Sequence, residues 1–170
     1  MKDDIRIEEI LKGRGERAKI QNEMIQNNHS TLISFTLNTP GLEKNNNEIK
    51  KIFKTGIREI NEGLKNNNIK IINERIDFDK ISGPEAFFAL DEDAEKVKEL
   101  AVDIEDTFHG RLYDIDVLTK EKSPISRKDL GYKPRYCIIC GEEAKICTRS
   151  EKHRKEEVIN KFYSIYKKYF

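Results

Sequence analysis

The 170-residue sequence contains no apolar run of about 18 residues, the length a membrane-spanning helix needs. Its opening, MKDDIRIEEILKGRGERAK, is charged throughout and offers no apolar core for a secretory leader. Neither sign of charge is in excess: 32 Lys and Arg face 31 Asp and Glu, for a net charge of +1. A global electrostatic attraction to nucleic acid or to an anionic membrane is therefore excluded, although a local basic patch is not. Only 3 cysteines are present, too few for a disulfide framework. No internal repeat is found. These absences lead to an expectation of a cytoplasmic protein that uses its cysteines as thiols or metal ligands.

What remains is a chain of one-domain size, residues 1–170, with 36% hydrophobic and 37% charged residues. Apolar spacing predicts a helix over 4–27, broken near Gly13 and Gly15, where Arg14 and Arg17 offer guanidinium groups to a phosphate or to solvent. A buried strand follows over 30–37, then an amphipathic helix over 47–65 with Ile49, Ile52, Phe53, Ile57, Ile60 and Leu64 on one stripe. Residues 69–78 and 87–90 read as strands, 92–107 as a helix, and 151–168 as a final helix. Ser123-Pro124 reads as a turn from which 125–127 pair back as a hairpin. This order predicts an α+β fold, a mixed β-sheet covered by helices.

The stretch Gly110-Arg111-Leu112-Tyr113-Asp114-Ile115-Asp116-Val117-Leu118 reads as a strand. Side-chain alternation places Leu112, Asp114 and Asp116 on one face and Tyr113, Ile115 and Val117 on the other. Two carboxylates two residues apart on one face repel each other unless a cation lies between them. Mg²⁺ binds one or two carboxylates and completes its shell with substrate phosphates, so Asp114 and Asp116 are candidate metal ligands and catalytic groups. Gly110 would let a ligand approach, and Arg111 offers a fork for phosphate. The same pattern also fits an edge strand with a solvated polar face.

The cysteines form a second cluster, Cys137-x2-Cys140-x6-Cys147-x5-His153. Cys-x2-Cys is a common thiolate hairpin for zinc, and three thiolates with one imidazole complete a tetrahedron. Residues 135–155 are thus a candidate structural Zn²⁺ segment; ordinary thiols with a surface histidine are the alternative. Arg111, Arg127, Arg135, Arg149 and Arg154 could form a cationic rim suited to a small polyanion.

Along most of its length the chain resembles the citrate lyase holo-acyl-carrier-protein synthase family. The resemblance is carried by Arg14-x-Glu16-Arg17, Ile33-Ser34-Phe35-Thr36, Pro40-Gly41 and Ser82-Gly83-Pro84-Glu85. It continues in Gly110-Arg111-Leu112-x-Asp114-Ile115-Asp116-Val117, Ser126-Arg127-x-Asp129, Pro134-Arg135-x-Cys137-x2-Cys140 and Ala144-x2-Cys147-x-Arg149-x3-His153. It implies a nucleotidyltransferase-like fold and reaction. The implied substrate is 2'-(5''-triphosphoribosyl)-3'-dephospho-coenzyme A, and the implied partner is the apo acyl-carrier (gamma) subunit of citrate lyase. Within that chemistry Asp114 and Asp116 are expected to hold Mg²⁺. Gly110, Arg111, Arg127, Arg135, Arg14 and Arg17 are expected to contact phosphates, with Asp129 as a further carboxylate. The competing expectation is a zinc-stabilised module that binds protein or nucleic acid without catalysis.

Overall fold

The computed structural model describes residues 2–170. Its elements are α1 (Lys2–Asn28), β1 (Thr31–Leu37), α2 (Asn47–Asn66), β2 (Lys70–Asp77), β3 (Glu85–Asp91), α3 (Ala94–Glu105), β4 (Tyr113–Leu118), α4 (Ala144–Arg149) and α5 (Lys155–Tyr169). A short 3-10 turn, Gly110–Leu112, leads into β4.

The four strands form one sheet in the order β2-β3-β1-β4, and every neighbouring pair is antiparallel. The expected mixed sheet is therefore corrected. α2 joins β1 to β2, and α3 joins β3 to β4. In each case a strand of the other unit lies between the two joined strands, so no parallel neighbours arise. β1-α2-β2-β3-α3-β4 in this order is the split βαβ, or ferredoxin-like, arrangement.

The apolar stripe of α2 buries Ile49, Ile52, Phe53, Ile60 and Leu64. Several of these join Ile33, Phe35, Phe88, Tyr113, Ile115 and Val117 in the main core, which Phe162 and Ile165 of α5 close. Asn46 caps α2 by accepting the Ile49 amide at 2.9 Å. On the other face of the sheet, Ile20, Met24 and Ile25 of α1 pack on Leu32, Phe87 and Ala89.

α1 runs unbroken through Gly13 and Gly15, against the expected interruption. Tertiary packing accounts for Gly13, because a Cβ there would collide with the Ser82 side chain. Leu112 also departs from expectation. It sits in the 3-10 turn and joins the main core instead of sharing the face of the aspartates. The turn after β4 closes, with Thr119 and Ile125 amides donating to Ser123 and Val117 carbonyls and one bridge between Leu118 and Pro124, but the expected hairpin over 125–127 stops there, because Arg127 opens the 3-10 turn Lys128–Leu130. Among the described residues, no helix is long and apolar enough to cross a membrane.

Candidate active site

β4 alternates as its sequence requires. Tyr113, Ile115 and Val117 are buried, while Asp114 is half-buried and Asp116 exposed. The register sets Asp114 beside Thr36 and Asp116 beside Ser34 of β1. Both aspartates therefore share the sheet face that α1 crosses, where Ser34 Oγ accepts from Gln21 Nε2 at 2.9 Å.

Burial raises the Asp114 pKa to about 6, helped by repulsion from Asp116 and opposed by Arg135. Burial also raises Asp116, against the pull of Lys98. Arg17 exerts an opposing pull on both carboxyls. A pair of neighbouring carboxyls that resist ionisation, yet remain reachable from solvent, fits a divalent cation that would offset their repulsion.

β4 is an edge strand, and its outward backbone is held by side chains. Glu105 accepts the Ile115 amide at 2.9 Å, and Lys98 donates to the Ile115 carbonyl at 3.2 Å. Arg135 donates to the Tyr113 carbonyl at 2.7 Å and the Arg111 carbonyl at 3.1 Å, and reaches Asp114 at 3.4 Å. Arg127 is clamped by Glu105 at 2.8 Å and Asp106 at 2.7 Å. Arg127 and Arg135 are thus anchored at the strand edge. The Arg111 guanidinium has no hydrogen-bond or ion-pair partner among the described residues, and burial together with Arg135 and Arg127 lowers its pKa. Its half-buried charge is the one at this edge available to an incoming anion.

The remaining expected residues divide. Gly110 is buried against the Ile104 carbonyl, which a Cβ would strike. Asp129 accepts from the Ser126 amide and hydroxyl at 2.8 Å each. Arg17 donates through Nε to Glu85 at 3.0 Å, while Lys80 contacts the other Glu85 oxygen at 2.6 Å, off the hydrogen-bonding direction. Arg14 lies on the outer side of α1, near Lys44.

The sequence reading missed Glu85, Lys98 and Glu105, all buried. A signal was present for two of them. Lys98 and Glu105 fall on the otherwise apolar stripe of α3 with Val97, Ala101 and Val102, and charges there need partners.

The Cys137, Cys140, Cys147 and His153 ligand atoms all lie within 4.8 Å of one another. Cys140 Sγ is 3.5 Å from Cys147 Sγ and 3.3 Å from His153 Nε2. The Cys137 amide donates to the Glu142 carbonyl at 2.6 Å, and Gly141 turns the chain at φ 76°. α4, which the sequence reading left out, carries Cys147 inward. This Cys3His cluster can hold a metal such as zinc. It begins two residues after Arg135, and the Ala144 amide donates to the Arg135 carbonyl at 2.8 Å, so the cysteine segment braces the arginine that binds β4.

The model of the family described as apo-citrate lyase phosphoribosyl-dephospho-CoA transferase matches residues 5–169. The chain belongs to this transferase family. It is 31% identical over 158 residues to the apo-citrate lyase phosphoribosyl-dephospho-CoA transferase of Escherichia coli O1:K1, covering 92% of this chain and 86% of that protein. It is 34% identical over 162 residues to Protein CitXG of Haemophilus influenzae, covering 95% of this chain but only 35% of that longer protein.

Proposed function

We propose that residues 1–170 act as one cytoplasmic transferase domain, with residues 135–155 as a structural zinc segment inside it. It attaches the 2'-(5''-phosphoribosyl)-3'-dephospho-CoA group to a serine of the apo acyl-carrier (gamma) subunit of citrate lyase. The triphosphoribosyl precursor is the donor. Family membership supplies the substrate class, and the Asp114–Asp116 pair on one sheet face, with carboxyls that resist ionisation, is the observation that carries the chemistry.

The reaction is of nucleotidyltransferase type. The serine oxygen attacks the phosphorus next to the ribose. A new P–O bond forms, the P–O bond to pyrophosphate breaks, and pyrophosphate leaves. Positioning and charge neutralisation supply most of such catalysis. Asp114 and Asp116 would hold Mg²⁺, which when bound neutralises phosphate charge. One of the two carboxylates accepts the serine proton. Arg111 and Arg17 bind phosphate oxygens. Arg135 and Arg127 position β4 and are second contacts for the leaving pyrophosphate. Cys137, Cys140, Cys147 and His153 hold Zn²⁺ and fix Arg135.

The test is a mass measurement on the carrier. Apo-carrier incubated with this protein, Mg²⁺ and the triphosphoribosyl compound gains one phosphoribosyl-dephospho-CoA group and releases one pyrophosphate. An unchanged carrier mass contradicts the assignment.

A further inference from the structure

A hollow beside α1 and the start of α2 is lined by neither aspartate. It has a volume of about 450 Å³ and is lined by Lys44, Asn46, Asn47, Lys50 and Lys80, among others, within the range of ligand pockets. A smaller hollow of about 170 Å³ shares Glu9, Lys80 and Ile81 with it and extends to Glu16, the neighbour of Arg17. The two adjoin beside α1. From Glu9 to Arg17 is eight residues of helix, about 12 Å.

The larger hollow has charge that its own acids do not absorb. Lys50 is paired with Asp79 at 2.5 Å, and Lys80 with Glu85 and Glu16. Glu43 accepts from Asn46 at 3.2 Å, and Glu9 also lines the wall. Lys44 has no carboxylate partner among the described residues. Its amine donates only to the Thr39 carbonyl, while burial and the nearby Arg14 charge lower its pKa. A half-buried cation without an acid partner favours an anion. The first-turn amides of α2 add to this. Asn46 satisfies Ile49, and the amides of Asn47 and Glu48 have no protein acceptor.

We propose that this hollow binds the diphosphate of the dephospho-CoA half of the substrate, with Lys44 and the α2 N-terminus as its anion contacts. The inference rests on the transferase reading above. That substrate carries a diphosphate and a triphosphate joined through two riboses. It therefore needs two anion sites; the hollows beside α1 run from Lys44 to Glu16, next in sequence to Arg17, whose charge acts on Asp114 and Asp116.

Titration calorimetry with 3'-dephospho-CoA, which lacks the triphosphate, tests the site on the full chain. Binding is expected for the wild-type protein and unchanged for Asp116→Asn. Lys44→Gln keeps a donor for Thr39 but removes the charge, and is expected to weaken binding about tenfold. It should raise KM for the triphosphoribosyl substrate to a similar degree, with kcat within about twofold, and Lys44→Arg should restore both. Wild-type affinity in Lys44→Gln, or no binding of dephospho-CoA to a protein that labels the carrier, overturns this site and leaves the transferase reading standing. Failure to label the carrier at all overturns that reading instead.

Discussion

The Glu105 carboxylate accepts the Ile115 amide at 2.9 Å from a side chain only 3% exposed. Ile115 lies between the two aspartates, so α3 fixes the strand at the position that sets their separation. The same carboxylate meets Arg127 at 2.8 Å and Arg135 at 3.4 Å. Glu105→Leu leaves one strand amide without its acceptor and the two arginines with only their second acids, Asp106 and Asp114, a change that costs at most about 3–5 kcal/mol. Urea denaturation should show a midpoint lowered accordingly. Glu105→Gln keeps an acceptor for the amide and should lose less. Equal midpoints for Glu105→Leu and wild type would remove this anchor from the account.

Asp114 gives a pH signature. Its folded pKa of about 6 lies above the ordinary value of 3.8, so the folded state holds the proton more tightly than the unfolded state. Ionising Asp114 therefore costs stability. That cost is absent below about 3.8, grows between 3.8 and about 6, and is constant above. Asp114→Asn should raise Tm relative to wild type at pH 7.5 in a chelating buffer, with the difference fading as the pH falls to 4. A difference independent of pH would show that the carboxyl is not strained by its surroundings.

Much of this was legible in the sequence. The alternation in β4 and the apolar stripe of α2 follow from strand and helix periods, which are local. The cysteine spacing likewise announced its cluster. The unbroken α1 was hidden because Gly13 answers to Ser82, 69 residues away along the chain. The sheet's antiparallel order was hidden for a similar reason, since strand neighbours are decided by how two βαβ units interleave. Arg127 and Arg135 read as phosphate ligands by residue type. Their engagement with Glu105 and the β4 carbonyls depends on α3 lying along the sheet edge.

The cysteine cluster predicts metal content. Protein purified without chelator should carry about one zinc per chain by elemental analysis, since four ligands of this set complete one tetrahedron. Cys147→Ser should lose the metal and melt at lower temperature, because metal binding is coupled to folding of the segment. Metal-free wild-type protein with an unaltered melting curve would return the cysteines to ordinary thiols.

The central claim concerns the two aspartates, and the decisive measurement is the rate at which Asp116→Asn labels the apo-carrier, followed by carrier mass with saturating Mg²⁺ and triphosphoribosyl substrate. Asp116 is exposed, so the variant should keep the wild-type circular dichroism spectrum. Labelling should fall about a hundredfold or more, the scale for removing one electrostatic contact to a transition state. A folded Asp116→Asn protein that labels the carrier at the wild-type rate would contradict the account.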